Sequence, residues 1–419
     1  MARRVVVIGQ GYVGLPLALR AAEVGFEVRG IDTDSKKVKL LDAGDSYIDD
    51  VTSSQLQEAL RTGRYRPSAS YADAAGFDIC VITVPTPLRA GEPDLTCVIG
   101  AATAVATHIS PGSTVILEST SYPGTTEDVL RPILEAGSGV RADTDFHLGF
   151  SPERIDPGNS HWTLANTPKI VSGFGAQALE HITDFYSALV RTVVPVPCPR
   201  TAELAKLLEN TFRAVNIALV NEITTVAAEL GVDVWAAIDA AATKPFGFQR
   251  FTPGPGVGGH CLPIDPLYLS WQVQQVTGRP LRIVEAADEV NRAMPEYVVG
   301  RIAAGLGRRG RPLAGSRLLL LGLTYKPNSS DLRESPAMQI ASELARRGAD
   351  VRAAEPVAPA ELIPADLILT RPDDNELAAA DAVVVLADHD CFDYELITER
   401  AGYIFDTRNR CQGSNVERL

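Results

Sequence analysis

Short apolar runs alternate with longer amphipathic stretches along the first half of the chain. The runs span residues 5–8, 28–31, 79–84 and 114–117, and the stretches between them mix polar and apolar positions as surface helices do. This alternation is typical of a parallel β-sheet covered by helices. It continues to about residue 199, where a proline-rich segment marks a natural boundary.

The middle of the chain has a helical pattern. Residues 201–230 contain neither proline nor glycine and are rich in helix formers, so one long helix is predicted. A Gly- and Pro-rich loop at 253–266 interrupts the pattern, which resumes to about residue 310. An apolar run at 317–322 then begins a second series of strands and helices, with another buried strand at 382–386. The sequence therefore predicts two α/β domains joined by a central helical region.

Composition and charge narrow the possible classes of function. Among the 419 residues, 39 are Lys or Arg and 52 are Asp or Glu, which gives a net charge of −13. Such an acidic protein is not expected to bind nucleic acid or an anionic membrane surface. No apolar run approaches the ~20 residues of a transmembrane helix. The six cysteines are too sparse and irregularly spaced for a disulfide framework or a zinc ribbon. We therefore predict a cytoplasmic protein without a metal site.

A glycine-rich turn directly follows the first predicted strand. Gly9, Gly11 and Gly14 precede a helical stretch, so the backbone can approach a pyrophosphate at a helix N-terminus. Asp32 closes the second predicted strand, where its carboxylate can bind the adenosine ribose hydroxyls and would repel a 2′-phosphate. NAD is therefore predicted rather than NADP, the alternative being a tight turn without a cofactor. Lys37 could contact the cofactor or could equally be a solvated lysine on a helix. The predicted cofactor-binding residues here are Gly9, Gly11, Tyr12, Val13, Gly14, Asp32, Lys37 and Thr83.

The loop at 253–266 contains a candidate nucleophile. Its four glycines let the backbone wrap closely around a bulky ligand, and Pro263 suits the first turn of a following helix. Cys261 would then lie at a helix N-terminus, where the dipole favours the thiolate. Asp265 follows by four residues, near enough for acid or base catalysis at the same centre. The alternative is a structural loop with a buried cysteine.

The long central helix carries a polar stripe among apolar positions. Lys206, Asn210, Arg213 and Asn221 are spaced by four, three and eight residues, which brings them to roughly one side. The cysteine loop favours a role at the site for Lys206 and Asn210. For Arg213 and Asn221 a solvated face is equally open.

Six motifs occur in order along nearly the whole chain. They are residues 9–14, 118–120 with 123–126, 151–154, 203–206 through 221–222, 256–265, and 322–326 with 331–336. Together they resemble the UDP-glucose/GDP-mannose dehydrogenase family of nucleotide-sugar dehydrogenases. The resemblance implies an NAD-binding Rossmann domain at 1–199 and a C-terminal, UDP-sugar-binding Rossmann-like domain at 313–419. It also implies that the central region, 200–312, carries the catalytic cysteine loop and forms a homodimer.

The resemblance implies oxidation of a sugar C6 alcohol to a carboxylate in two hydride transfers. In the second transfer, a Cys261 thiolate would add to the aldehyde and give a thiohemiacetal that loses hydride to form a thioester. Lys206 and Asn210 would stabilise the oxyanion. Asp265 with Thr120 would hold or activate water, and Glu153 would assist hydrolysis, with the identity of the main base open. The implied substrate-binding residues are Glu153, Arg154, Lys206, Asn210, Arg250, Gly258, Cys261 and Lys326, and Thr120 and Arg333 are implied to contact NAD.

Two features indicate the substrate class. The segment 153–159 departs from the glucose-type pattern and, with 243–247, is similar to the branch that acts on UDP-N-acetylhexosamines. An arginine of UDP-glucose enzymes has no equivalent at Pro245, and Lys244 or Arg250 is its candidate replacement. UDP-N-acetylglucosamine is therefore the first choice, and UDP-N-acetylmannosamine and UDP-glucose are alternatives. A one-step hydroxyacid dehydrogenase and a non-catalytic NAD-binding regulator are the rivals from other classes.

Overall fold

A computed structural model describes residues 3–156, 159 and 161–419 of the chain, which divides into two compact units. The first is formed by Met1–Glu209 with Leu267–Arg279, and the second by Asn210–Pro266 with Pro280–Leu419. Each unit contains one large, mostly parallel sheet with helices beside it. The predicted fold class, α/β with two Rossmann-like sheets and a helical middle, is confirmed.

The first unit is built on an eight-stranded sheet. Its strands are β1 (Arg4–Ile8), β2 (Glu27–Ile31), β3 (Tyr65–Ser68), β4 (Ile79–Ile82), β7 (Thr114–Leu117), β8 (His147–Phe150), β9 (Lys169–Gly173) and β10 (Val193–Pro195). Between β4 and β7 the chain forms a separate antiparallel hairpin of β5 (Leu88–Arg89) and β6 (Glu92–Pro93). The sheet order is β10-β9-β8-β7-β4-β1-β2-β3, and only the β8/β9 pair among the described strands of this sheet is antiparallel. From β3 to β8 this is the strand order of the dinucleotide-binding Rossmann fold.

Helices connect these parallel strands. Those of the first unit are α1 (Gly14–Glu23), α2 (Ser35–Ala43), α3 (Ser53–Arg61), α4 (Thr96–Ala106), α5 (Arg131–Ser138) and α6 (Ala176–Leu189), with a 3₁₀ turn at Tyr71–Ala74 and a π-helical turn at Thr125–Leu130. The β1 side chains are almost all buried, as expected for a strand covered on both faces. Val5 and Val7 pack in one core with Leu17 of α1 and Ile182 of α6.

The predicted central helix is observed as α7 (Pro199–Leu230), which has 32 residues and would measure about 48 Å at 1.5 Å per residue. The boundary between the two units falls within this helix. The helices that follow are α8 (Val234–Ala242), α9 (Asp265–Thr277) and α10 (Arg282–Arg308).

The second unit contains a six-stranded parallel sheet. Its elements are β11 (Arg317–Leu321), α11 (Pro336–Arg346), β12 (Asp350–Ala354), a 3₁₀ turn (Ala360–Leu362), β13 (Ile368–Leu369), α12 (Asp374–Ala379), β14 (Ala382–Val385), α13 (Tyr394–Arg400), β15 (Ile404–Asp406) and β16 (Val416–Arg418). The order β13-β12-β11-β14-β15-β16 repeats the Rossmann order. Within the described ranges, none of the helices combines the length and the apolar character that a membrane crossing requires.

Candidate active site

The turn between β1 and α1 carries the predicted glycine motif. Gly9 has a φ of 91°, and a Cβ atom there would lie 2.6 Å from the Thr83 carbonyl oxygen. A Cβ atom at Gly14 would lie 1.8 Å from the Gly9 carbonyl oxygen. At Gly11 a Cβ atom would meet no atom of the described residues within 4 Å. Gly9 and Gly14 are therefore required by the turn itself, whereas Gly11 leaves the backbone open to a pyrophosphate at the start of α1.

Asp32 lies directly after β2, beside this turn. Its Oδ2 accepts a hydrogen bond from the Gln10 N–H and its Oδ1 accepts one from the Asp34 N–H, both at 2.9 Å. The carboxylate is half-buried, so it is held in place and still accessible. A fixed acid next to an open glycine turn fits the adenosine ribose and pyrophosphate of NAD.

The other predicted cofactor residues support this turn in different ways. The Thr83 hydroxyl donates to the carbonyl oxygens of Ile8 and Gly9, at 2.8 and 2.9 Å, and so stabilises the turn. Tyr12 and Val13 are half-buried within the turn. Lys37 is half-buried on α2, where its Nζ lies 5.9 Å from the centre of the Tyr47 ring.

Glu153 belongs to a buried cluster with Glu118 and Lys169. The Lys169 Nζ donates to Glu153 Oε2 at 2.9 Å and also to Glu118 Oε1. Glu153 Oε1 accepts from the backbone N–H groups of Arg154 and Ile155, at 2.6 and 2.7 Å. The side chains of Lys169 and Glu118 are 3% and 0% exposed, and that of Glu153 is 12% exposed. Lys169 was not a candidate from the sequence, where a lysine preceding a short apolar strand carries no catalytic signal.

The two carboxyl groups of this cluster differ in acidity. Burial raises the pKa of Glu118 to about 7, against the opposing effect of Lys169. Burial also opposes ionisation of Glu153, but Lys169 and the two backbone N–H groups outweigh it and keep the pKa of Glu153 below its usual value. Glu153 is therefore the carboxylate of the pair, and Glu118 holds its proton more readily.

Glu203, in the first turns of α7, fixes the loop that follows Thr120. The fully buried Glu203 carboxylate accepts from the Gly124 N–H at 2.6 Å and from the Thr126 N–H at 2.9 Å. Thr120 itself is half-buried after β7, and Lys206 is buried on α7 at 8% exposure. The motifs that contain Thr120 and Lys206 are thus joined through a buried carboxylate.

In the second unit, the cysteine loop ends beside a buried acid. Cys261 is exposed, which excludes a buried structural cysteine. Its carbonyl oxygen accepts from the N–H groups of Ile264 and Asp265, at 3.2 and 2.8 Å, so Cys261 closes the turn that starts α9. The helix begins at Asp265, two residues later than Pro263 suggested. The Asp265 side chain is buried and accepts from Asn210 Nδ2 at 2.5 Å, so the structure brings these two predicted residues together.

The glycines of this loop pack against residues 325–334 of the same unit. A Cβ atom at Gly258 would lie 2.6 Å from the Tyr325 Cβ, and the Gly259 N–H donates to the Arg333 carbonyl oxygen at 2.9 Å. The Arg333 guanidinium pairs with Asp331 at 2.6 Å and remains half exposed. Lys326 is half-buried in the same segment.

Two buried amide side chains, those of Asn221 and Asn291, hold the cysteine loop in place through hydrogen bonds. Asn221 is fully buried; its Oδ1 accepts from the Gly254 N–H and its Nδ2 donates to Asn291 Oδ1, both at 3.0 Å. Asn291 Nδ2 in turn donates to the Ala214 carbonyl oxygen at 3.2 Å. Of the two residues left open by the sequence, Asn221 is thus structural and buried, whereas Arg213 is on the solvated face.

The remaining predicted arginines have protein partners. Arg154 pairs with Glu209 at 2.7 Å and donates to the Pro168 carbonyl oxygen at 2.8 Å, so much of its guanidinium is engaged in contacts within the protein. Arg250 is exposed and pairs with Asp239 at 2.8 Å. Within the segment 153–159, Pro157 and Gly158 lie outside the described residues.

Comparison with known proteins decides the family. Three family models match the chain in order, namely the NAD binding domain, the central domain and the UDP binding domain of the UDP-glucose/GDP-mannose dehydrogenase family, at residues 3–190, 200–293 and 319–413. The chain belongs to the UDP-glucose/GDP-mannose dehydrogenase family. As a member of it, the protein is an NAD-dependent oxidoreductase of the nucleotide-sugar dehydrogenase class, and the predicted cofactor is confirmed.

Individual members of the UDP-glucose/GDP-mannose dehydrogenase family match over almost their whole length. A UDP-N-acetyl-D-glucosamine 6-dehydrogenase of Salmonella typhi is 35% identical over 392 residues, covering 93% of this chain and 90% of that protein. An NDP-N-acetyl-D-galactosaminuronic acid dehydrogenase of Ralstonia nicotianae is 35% identical, with coverages of 99% and 97%. The solved structure of a UDP-D-ManNAc dehydrogenase from Pyrococcus horikoshii has a TM-score of 0.89 at 32% identity and covers 99% of both chains.

Proposed function

We propose that the protein oxidises the C6 hydroxyl of a UDP-N-acetylhexosamine to a carboxylate, with UDP-N-acetylglucosamine preferred. The observation that carries this proposal is the exposed Cys261 at the end of a glycine loop, one turn before the buried Asp265. An alcohol dehydrogenase has no need of a thiol, whereas oxidation of an aldehyde to an acid gains from a nucleophile that forms a thioester. The Salmonella and Pyrococcus relatives carry N-acetylhexosamine names, which supports the substrate class.

In the proposed mechanism, the same substrate molecule stays bound during both oxidations. After the alcohol has become an aldehyde, the Cys261 sulfur adds to the carbonyl carbon and the oxygen becomes an oxyanion. Lys206 and Asn210 donate to that oxygen, and loss of hydride from the thiohemiacetal leaves a thioester. Water then adds to the thioester carbonyl, the C–S bond breaks, and the Cys261 thiolate is released with the carboxylate product.

Water activation is assigned to the acids and to Thr120. Asp265 receives the amide of Asn210, so its carboxylate is oriented, and with Thr120 it holds the water. Glu153, a carboxylate kept ionised by Lys169, accepts the proton of the attacking water.

NAD is held by the turn at Gly9, Gly11 and Gly14 and by Asp32, with Arg333 and Lys37 as further contacts. NAD would supply the hydride acceptor, one molecule for each of the two oxidations. Gly258, Lys326, Arg154 and Arg250 are proposed to contact the UDP-sugar, within a domain organisation of 1–199, 200–312 and 313–419. A cytoplasmic location remains a prediction.

A homodimer formed through the central helix is part of the proposal. In the second unit, α7 exposes apolar side chains spaced by seven, four, three and four residues, which places them on one side of the helix. A second copy of the chain would cover this stripe, which we call the α7 stripe. Its members are Phe212, Leu219, Ile223, Val226 and Leu230, each at least 48% exposed.

A panel of UDP-sugars tests the proposal directly. NADH and uronic acid are measured with UDP-N-acetylglucosamine, UDP-N-acetylmannosamine and UDP-glucose under identical conditions. Two NADH per sugar with little free aldehyde are expected from the thioester route. Both N-acetylhexosamines should exceed UDP-glucose in kcat/KM, because a site that hydrogen-bonds an acetamido group rejects an analogue lacking it, and UDP-N-acetylglucosamine is proposed to be the better of the two. One NADH per sugar would exclude the thioester route. A higher kcat/KM for UDP-glucose would exclude the proposed specificity alone.

A further inference from the structure

The topology of the first sheet brings Lys169 to the site of Glu153. Parallel strands β7 and β8 end just before Glu118 and three residues before Glu153. Because β9 is antiparallel to β8, its first residue, Lys169, lies at the same carboxyl edge. This is where ligands bind in open α/β sheets. The reversed strand thus places a cation beside the two acids that follow β7 and β8.

The charges of this cluster do not cancel if both acids are ionised. Lys169 is one buried cation against two carboxyl groups, and Glu118 Oε2 is buried without a hydrogen-bond partner among the described residues. Two interacting carboxyl groups in a poorly solvated site retain one proton between them. The fully buried Glu118 is the natural holder of that proton, since Glu153 has backbone N–H donors and partial solvent access.

We propose that Lys169 and Glu118 are positioning residues for Glu153. Lys169 orients the Glu153 carboxylate and keeps it ionised, and Glu118 carries the proton that the cluster retains. The inference rests on the proposed function, in which Glu153 takes a proton from water as the O–C bond forms and the C–S bond of the thioester breaks. Neither positioning residue touches the substrate.

Two further charged or titratable side chains lie near Glu153 among the described residues. From α6, the Tyr186 ring lies 5.2 Å from the Lys169 Nζ and adds a cation–π contact. The neighbouring Arg154 guanidinium is directed to Glu209 and the Pro168 carbonyl oxygen. Among the described residues, Lys169 is therefore the cation that pairs with Glu153 and favours its ionised form.

The decisive variant is Lys169→Met, which removes the cation and keeps a long apolar side chain. Without Lys169, burial raises the pKa of Glu153, and the base form is lost as pH falls through that raised pKa. In a single turnover with UDP-N-acetylglucosamine, decay of the Cys261 thioester is followed by intact-protein mass spectrometry. At pH 6 the decay should slow at least about tenfold, because full loss of a general base costs about 10²–10⁴-fold. The deficit should shrink as pH rises, and Lys169→Arg should restore the wild-type midpoint.

Glu118→Gln tests the second positioning residue without a change of shape. As Glu118 loses its proton near pH 7, the added negative charge makes Glu153 a stronger base, so thioester decay should accelerate through this pH. Glu118→Gln should abolish that acceleration. It should leave unchanged the midpoint at lower pH, at which Glu153 becomes ionised. If Lys169→Met does not fold, Glu118→Gln still tests the inference.

Glu376→Gln is the matched control. Glu376 is a buried carboxylate that pairs with Arg317 in the second unit, so its loss should lower stability, and none of its described ion pairs involves Glu153. It should lower Tm and leave the pH profile unchanged. Unaltered pH profiles in both Lys169→Met and Glu118→Gln would overturn the inference. If the wild-type enzyme forms no thioester at all, the proposed function itself has failed, which is a separate outcome.

Discussion

At the residue scale, the proposed mechanism depends on Cys261, an exposed cysteine whose carbonyl oxygen closes a turn. Cys261→Ser should lose complete oxidation, because a serine hydroxyl is a far weaker nucleophile without a dedicated base. NADH formation per sugar, and NAD binding measured by calorimetry, would be compared with the wild type. Cys391→Ser replaces another exposed cysteine of the same unit and should retain activity. Full two-step turnover by Cys261→Ser would remove Cys261 from the mechanism.

Asp32 should decide between the two nicotinamide cofactors. Asp32→Asn removes the negative charge that repels a 2′-phosphate, so the ratio of kcat/KM for NADP to that for NAD should rise at least about tenfold. Asp34→Asn is the matched control, since Asp34 is an exposed acid two residues away that caps α2. An equal rise in both variants would point to general surface charge instead of the ribose.

Several residues of the candidate site could be proposed from the sequence because their motifs are local. Gly9, Asp32 and Cys261 are recognisable from the strand, helix or glycine loop that immediately flanks each of them. Lys169 and Glu203 could not be predicted in the same way. Lys169 meets Glu118 across 51 positions of sequence, and Glu203 meets Gly124 across 79. Such pairings depend on strand direction and helix docking, which no short motif encodes.

At the element scale, α7 supports the cysteine loop through one amide. Asn221→Ala leaves the Gly254 N–H and the Asn291 Oδ1 unpaired in a buried setting, at a cost of about 1–3 kcal/mol each. Tm should therefore fall, and kcat should fall more than KM rises because the loop carries Cys261. Asn216→Ala is the control, since Asn216 bonds only within its own helix, to the Phe212 carbonyl oxygen, among the described contacts. Equal effects of the two substitutions would contradict a special role for Asn221.

The elements themselves follow closely from the pattern of apolar positions. The predicted helix 201–230 is observed as Pro199–Leu230, and the predicted strand 114–117 as β7. The start of α9 was less predictable. Pro263 is compatible with a first helical turn. Residues 261–264 instead form a turn that is closed by hydrogen bonds from the N–H groups of Ile264 and Asp265 to the Cys261 carbonyl oxygen.

At the scale of the whole molecule, the α7 stripe predicts self-association. Leu219→Asp with Ile223→Asp would place two charges in a proposed apolar interface, so the molar mass measured by light scattering should fall from dimer to monomer. Leu362→Asp, at a side chain 62% exposed on the 3₁₀ turn of the second unit, is the control and should stay dimeric. A wild-type protein that is monomeric at micromolar concentration would refute the dimer.

The route of the chain through its two units has a consequence for synthesis on the ribosome. The first unit includes Leu267–Arg279, which is translated only after Asn210–Pro266, the first and shorter segment of the second unit. In that late segment, the Tyr268 hydroxyl donates to the Thr86 carbonyl oxygen at 2.9 Å, and Trp271 packs on Tyr122 at 5.3 Å between ring centres. A nascent chain ending at residue 209 therefore lacks contacts that the loops after β4 and β7 make in the finished protein. The full set of contacts of the first unit can therefore form only after residue 279 has left the exit tunnel.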